Sequence, residues 1–566
     1  MTQRICRVVL DTDFGLGERF MAAWRECAQK GGLQSKLHYV AVVAQVPPAA
    51  QIADAQLRSL WPLNVPGLHR ILLDDGRVTL DLLAGALDAV LPQIDARVDA
   101  FHVAAMPAPN ATALARGLAK LAVQGASLRA EAPDEALVWA LTAAGFSCQT
   151  IEGTRDVGAV YQSRRPQPAA PLEPVRRAIV IGAGLAGSSA CQRLCANGWQ
   201  VTLIERHAEP AQEASGNLAG IFMPLLSKDD NIPTRLSRAA YLFALREWQR
   251  LGGVGIAFDG QRCGVLQLAR DAAHAKVQRD VVEAWNYPPE YARWLDAGAA
   301  GELLGAATPD GGWLFELGGW VRPSSLCEAM LLACGDHLFR VFCAEALDLR
   351  RVDGEWQVRG RDGELLAQAP TVVLANGTGA VNVAQAAELP LAALRGQVTH
   401  LAAQDAPQLS LVVCREAYVT PPANGIVCAG ATYDSDGDPS LRAASQLENL
   451  TRLAEIVPGD AVAALAASAP LAGRVGFRCA APDRLPLAGA LPDYPSAGRL
   501  ERLRDVPRHP GLHCLLGYAS RGLIWAPLMA ELLVAQLENA PPPLEAMLVE
   551  ALDPGRFLLK QRRRSQ

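Results

Sequence analysis

Ala178-Ile179-Val180-Ile181 runs directly into Gly182-Ala183-Gly184-Leu185-Ala186-Gly187 and then into the helix-forming stretch Ser188 to Ala196. An apolar strand, a G-x-G-x-x-G turn and a helix in that order leave few folds open. The first glycine permits the tight turn, the second lets backbone approach a pyrophosphate, and the third lets helix and strand pack closely. The helix N-terminus then offers N–H groups and a positive dipole to the phosphates. Gly198-Trp199 turns the chain into a second strand, Gln200 to Ile204, which ends at Glu205, 18 residues past Gly187. An acid there binds a ribose hydroxyl, and its charge disfavours a 2′-phosphate. The unit predicts a Rossmann-type dinucleotide site.

The chain has 566 residues, too many for one ordinary core, so two or more domains are expected. Ser163 to Val175, SRRPQPAAPLEPV, carries four prolines and reads as an extended linker. The expected division is therefore 1–163, a linker at 164–176, and 177–566. Before the linker, strands at Cys6 to Leu10, His38 to Val43, Arg70 to Leu73, Val98 to Val103 and Ser127 to Ala130 alternate with helices such as Glu18 to Gln29 and Ala111 to Val123. That alternation predicts a parallel α/β sheet. The N-terminal apolar run is too short and too charged for a signal peptide, and no apolar run is long enough to span a bilayer. The 13 cysteines form no C-x-x-C and no Cys/His cluster, so reduced thiols, no metal and a cytoplasmic location are expected. A net charge of −5 neither requires nor excludes a nucleic-acid partner, although Arg164-Arg165, Arg176-Arg177 and Lys560 to Arg564 are locally basic.

The dinucleotide unit alone does not separate FAD from NAD. Later segments do: Ser215-Gly216-Asn217 with Gly220, Asn376-Gly377 after the strand Thr371 to Leu374, Arg478 before the Pro486 to Gly489 turn, and Gly517-Tyr518-Ala519-Ser520-Arg521-Gly522-Leu523-Ile524 opening a helix. This series resembles the glycine oxidase and D-amino-acid oxidase superfamily. The resemblance implies a Rossmann FAD domain assembled from the first and last segments, with an inserted α+β substrate domain. It implies FAD contacts from Gly182, Gly184, Leu185, Ala186, Gly187, Glu205 and Arg206, and from Ser215, Gly216, Asn217 and Gly220. Asn376, Gly377, Gly517, Ser520, Arg521, Gly522, Leu523 and Ile524 complete that set.

A closer resemblance covers almost the whole chain. Pro224-Leu225-Leu226-Ser227-Lys228, Gly311-Gly312-Trp313, Arg478-Cys479-Ala480 and Ser520-Arg521-Gly522, behind an α/β domain, resemble the bifunctional tRNA 5-methylaminomethyl-2-thiouridine biosynthesis family. That resemblance implies a tRNA substrate. It further implies oxidative removal of the carboxymethyl group from 5-carboxymethylaminomethyluridine at the wobble position, followed by methylation of the exposed amine with S-adenosylmethionine. The group removed is a glycine whose nitrogen carries the nucleoside, and a carboxylate is best held by a planar guanidinium. Arg478 matches the carboxylate-binding position of glycine oxidase-like enzymes, Tyr418 resembles the tyrosine that assists it, and Arg521 is a third candidate. Each could equally be a structural hydrogen-bonding group.

The N-terminal domain departs from the family. Asp11-Thr12-Asp13-Phe14-Gly15-Leu16-Gly17 has the form of a methyltransferase glycine loop, and Leu72 to Asp81 also resembles that domain. Yet Val40 to Ala44 carries no acid to grip a ribose, and Ala104 stands where the family has an aspartate beside the acceptor amine. The expectation is a degenerate methyltransferase-type domain that neither uses S-adenosylmethionine nor methylates. The alternatives are a fully bifunctional enzyme, a free amino-acid oxidase or dehydrogenase with an unrelated appendage, and an N-terminal domain kept as a tRNA-binding module.

Overall fold

In the computed structural model the described residues are 6–29, 36–105, 110–162, 175–457 and 471–564. They form two compact units, residues 1–174 with 534–549, and residues 175–533 with 550–566. The proline-rich stretch up to Pro174, together with Met106 and Pro107, lies outside the described residues.

The N-terminal unit is a sheet of eight strands: β1 (Cys6–Asp11), β2 (Lys36–Val43), β3 (Gly67–Leu73), β4 (Val78–Ala84), β5 (Val98–Val103), β6 (Ala122–Ala130), β7 (Phe146–Thr150) and β8 (Val157–Tyr161). Their order is β3-β4-β2-β1-β5-β6-β8-β7. The middle strands, β4-β2-β1-β5-β6, are parallel, as expected. The edges correct that expectation, because β3 pairs antiparallel with β4, and β8 pairs antiparallel with both β6 and β7. Both faces of the sheet are buried. Val8, Leu10, Phe101 and Leu118 fill one side, and Val9, Phe20, Tyr39 and Leu80 the other. Helix α1 (Glu18–Gln29) covers the second side through Phe20 and Trp24.

The C-terminal unit starts from the glycine turn. Strand β9 (Arg177–Ile181) is followed by helix α2 (Leu185–Ala196), β10 (Gln200–Ile204), β11 (Leu338–Val341), β12 (Thr371–Leu374), β13 (Leu487–Pro492) and β14 (Arg508–Leu516). The sheet order is β11-β10-β9-β12-β14-β13, parallel except at the β13 edge. First and last parts of the segment thus share one sheet, as the superfamily resemblance implies. Gly182 has φ +103, and a Cβ at Gly187 would lie 1.7 Å from the Gly182 carbonyl oxygen, so helix and turn can meet only without that side chain. The inserted chain builds a second eight-stranded sheet that includes Ala392–Ala402, Val412–Cys414, Tyr418–Val419, Ile426–Gly430 and Ala472–Ala480. Among the described residues no helix is long and apolar enough to cross a membrane, and no cluster of His, Cys, Asp and Glu could hold a metal.

Candidate active site

A cavity of about 790 Å³ in the C-terminal unit is lined by both sheets. Its dinucleotide end comes from the β9–α2 turn and the tip of β10, where Gly182, Gly184, Leu185, Ala186, Glu205 and Arg206 face it. Glu205 is held in place by backbone donors. The Ala183 N–H donates to its Oε2 at 2.7 Å and the His207 N–H to its Oε1 at 3.0 Å. The carboxylate is thereby fixed beside the cavity with lone pairs left for hydroxyl groups. The Ser215 hydroxyl oxygen accepts from Leu185 N–H at 3.1 Å, which ties the small-residue stretch to the helix start.

Ser215, Asn217, Gly220, Asn376 and Gly377 line the cavity, as do Gly517, Ser520, Arg521, Gly522, Leu523 and Ile524. Two residues of the expected set do not. Gly187 is spent on the helix–strand contact, and Gly216 lies against Arg474 in a neighbouring cleft, where a Cβ would come within 2.2 Å of that guanidinium. The cavity is large, and glycine turns from both the first and the last segments line it. Asn376 Oδ1, on that wall, is buried with no partner, so it has a lone pair to offer. FAD fits this set of groups.

The far end collects the charges. Arg478 and Tyr418 lie on strands of the second sheet, and Arg521 on the turn before the helix Gly522–Leu537. Ala519 N–H donates to the Cys479 carbonyl at 2.8 Å, which stitches the Arg521 turn to the Arg478 strand. The Arg478 guanidinium rests over Gly396, where any Cβ would fall 2.2 Å from Nη1. It stacks 4.4 Å from the centre of the Tyr433 ring and donates to the Thr432 carbonyl at 3.3 Å. Arg521 is enclosed by protein except where it faces the cavity, and it donates to the Met223 carbonyl at 3.3 Å. Burial lowers its pKa to about 10, against the opposing influence of Tyr433 and Cys414, so it remains a cation at neutral pH. Burial also pushes the Tyr418 phenol well up, which keeps it a neutral hydrogen-bond donor.

All three expected substrate residues therefore meet in one cavity. Sequence reasoning missed others on its wall: Met223, Gln267, Cys414 and Tyr433. Gln267 and Cys414 sit in short buried strands that read as ordinary core. Tyr433 follows the strand Ile426–Gly430 among polar residues, and that setting is the one signal that could have marked it as exposed.

The crevice at the carboxyl ends of β1 and β5, where the strand order reverses in the N-terminal unit, is built differently. In such sheets this is where ligands bind. Here Thr12 N–H donates to the His102 carbonyl at 2.9 Å, and Ala104 N–H donates to Thr12 Oγ1 at 3.0 Å, so the two strand ends are bonded to each other. Phe14 N–H donates to the Val42 carbonyl at 2.9 Å, and the Phe14 ring, 2% exposed, packs against Trp61 and Phe20 beneath Gly17. Asp11 is saturated by Arg19 at 2.8 Å and by the Tyr39 hydroxyl at 2.6 Å. The polar groups at these two strand ends are thus bonded largely to one another.

Two of the three acids in the 72–81 stretch have internal duties. Trp24 Nε1 donates to Asp74 Oδ2 at 2.6 Å. Asp81, 1% exposed, accepts from Arg70 Nε at 2.8 Å and Nη2 at 2.7 Å, with His38 Nε2 at 2.7 Å.

Residues 177–536 match the family described as FAD dependent oxidoreductase. The tRNA 5-methylaminomethyl-2-thiouridine biosynthesis bifunctional protein MnmC of Azoarcus sp. (strain BH72) is 42% identical over 98% of this chain and 90% of its own length. The glycine oxidase of Geobacillus kaustophilus superposes with a TM-score of 0.56 at 20% identity, covering 68% of this chain and 99% of its own. The iminodiacetate oxidase of Chelativorans sp. BNC1 gives a TM-score of 0.54 at 26% identity over 67% of this chain and 99% of its own. With near-complete coverage by the first relative and a glycine oxidase-like fold in the C-terminal unit, the chain belongs to the MnmC family, as an FAD-dependent oxidoreductase joined to an N-terminal α/β unit.

Proposed function

We propose that this protein removes the carboxymethyl group from 5-carboxymethylaminomethyl(-2-thio)uridine at the wobble position of tRNA, and that its N-terminal unit does not methylate the product. The observation that carries the first part is the meeting of Arg478, Arg521 and Tyr418 at one end of the dinucleotide cavity. Arg521 has no carboxylate in a salt bridge among the described residues, so an enclosed cation faces the cavity with its charge unanswered. Burying such a group is costly unless a ligand pairs it. An N-substituted glycine supplies the missing carboxylate, and the relatives named for this tRNA modification supply the rest of the substrate.

Held by the glycine turns, Glu205 and Asn376, FAD would supply the two-electron oxidation of the substrate's C–N bond; hydrolysis of the oxidised group gives glyoxylate and leaves the primary amine on the nucleoside. The chain's own part is positioning, which supplies much of the rate in such reactions. Two guanidinium groups and the Tyr418 hydroxyl fix the carboxylate, and thereby fix the α-carbon to which it is attached. Glu205 and Asn376 hold the other end of the cavity for the cofactor. The reading is tested by whether tRNA carrying the modified base reduces the bound flavin while free glycine does not.

The second part is supported by the closed β1–β5 crevice. A methyltransferase must orient S-adenosylmethionine and an acceptor amine together. Here no acid ends β2, Ala104 offers no polar side chain, and Thr12 and Asp11 are engaged by Ala104, Arg19 and Tyr39. Calorimetry with S-adenosylmethionine at 100 μM-scale ligand should give no heat of binding, and incubation with aminomethyl tRNA should transfer no methyl group. Micromolar binding with turnover would make the protein bifunctional.

A further inference from the structure

Tyr433 is an exposed aromatic residue outside the hydrophobic core. It is 54% exposed, it lines the cavity, and it stands on the loop that leaves the strand Ile426–Gly430. A large aromatic side chain left in water at the mouth of a site is characteristic of binding rather than of folding.

The loop beneath it is rigid. Arg395, 0% exposed, acts as its core. Its guanidinium donates to Asp434 Oδ2 at 2.9 Å, to the Asp438 carbonyl at 2.7 Å and to the Ser440 carbonyl at 2.7 Å. The backbones of Arg395 and Asp434 also exchange both hydrogen bonds, at 2.9 and 3.0 Å. Thr432, on the other side, is buried, and its Oγ1 accepts from Gln397 N–H at 3.1 Å. Tyr433 is therefore presented between two anchored neighbours, so little ordering entropy remains to be lost on binding.

The ring is already used on one face, where Arg478 stacks at 4.4 Å from its centre. With Tyr433 54% exposed, much of the residue stays open despite that contact. Arg478 is also one of the groups set to hold the substrate carboxylate. A substrate with its carboxylate on Arg478 and Arg521 must carry its remaining bulk outward past Tyr433. We propose that the free face of Tyr433 is the stacking platform for the uracil of the wobble nucleotide, so that this residue selects a nucleobase-bearing glycine over a small amino acid. The inference rests on the substrate reading given above. Unstacked bases in single-stranded RNA loops are commonly held against aromatic rings in this way, and stacking is indifferent to base edges. The same ring polarises toward Arg478, so base and carboxylate are registered by one fixed pair.

The test uses the flavin-loaded full chain and two anticodon stem-loops. One carries 5-carboxymethylaminomethyluridine as substrate, and the other carries 5-aminomethyluridine, which has the base but no carboxylate, as competitive inhibitor. Tyr433→Ala should raise KM for the first about five- to a hundredfold with kcat within twofold, in line with the usual worth of one base stack. It should weaken inhibition by the second by the same factor. Tyr433→Phe and Tyr433→Trp should restore both values, and Tyr433→Leu should not. An unchanged KM in Tyr433→Ala overturns the proposal. So does a raised KM with unchanged inhibition, because Tyr433 would then act only through Arg478 on the carboxylate. Should the wild-type flavin not be reduced by the first stem-loop, the substrate reading itself falls; should it be reduced, with KM unchanged in Tyr433→Ala, only the platform falls.

Discussion

Arg478→Ala should keep its flavin and lose most of its turnover. Removing one partner of a desolvated, charge-assisted pair costs about 2–5 kcal/mol, which is a loss in kcat/KM of roughly thirtyfold to several thousandfold on carboxymethylaminomethyl tRNA. Arg478→Lys should recover little, because an ammonium cannot reproduce the planar fork or its stacking on Tyr433. Arg521→Ala should show a loss of similar size. The double variant should fall well short of the product of the two, since both groups hold one carboxylate. Steady-state kinetics with the flavin spectrum as a control decides the matter. Normal kinetics in Arg478→Ala beside a severe defect in Arg521→Ala would assign the carboxylate to Arg521 alone.

Asp81→Ala should open the N-terminal sheet. Asp81 and Arg70 are 1% and 3% exposed, so the substitution leaves a buried guanidinium without its carboxylate. Breaking such a pair from one side costs about 3–5 kcal/mol, so amides of β4 such as Leu80 and Leu82 should exchange their hydrogens more than a hundredfold faster. Burial alone would raise the Asp81 carboxyl, but Arg70 and His38 outweigh it and hold the pKa at about 2, below its usual 3.8. A depressed carboxylate stabilises the fold fully above its unfolded value and loses that contribution as pH falls through the folded one. The difference between wild type and Asp81→Ala should therefore be constant above about pH 5 and should shrink from pH 4 toward pH 2. Equal exchange in the two proteins at pH 7 would contradict this account of the 72–81 stretch.

The parts of the fold legible in the sequence were those fixed by local requirements. The turn at Gly182 needs a positive φ and the contact at Gly187 admits no side chain, so the glycine spacing announced itself, and Glu205 followed from the strand that must end beside it. The helix Glu18–Gln29 and the strand Val98–Val103 fall where periodicity placed them. Partnerships between distant residues were not legible. Asp81 reads as one acid among several, and only β3 pairing with β4 and β4 with β2 brings Arg70 and His38 to it. The linker composition marked a break at 164–176 but gave no sign that residues 534–549 group with the N-terminal unit, where the Pro541 carbonyl accepts from Arg70 Nη2 at 2.7 Å. Tyr418 stands on a two-residue strand too short for any alternation to show. Tyr433 was hidden for a different reason: an aromatic residue is expected inside, and only its exposure in the fold makes it informative. In the N-terminal unit the missing acids near Val43 and at Ala104 were visible as absences, whereas the hydrogen bond from Ala104 N–H to Thr12 joins residues far apart in sequence and was not.

The most direct test of the substrate assignment is anaerobic mixing of the flavin-loaded protein with tRNA bearing 5-carboxymethylaminomethyluridine. The account predicts bleaching of the oxidised flavin band, one glyoxylate released per flavin reduced, and conversion of the base to 5-aminomethyluridine, while free glycine at the same concentration leaves the band unchanged. A flavin that stays oxidised with the modified tRNA yet bleaches with free glycine would contradict it.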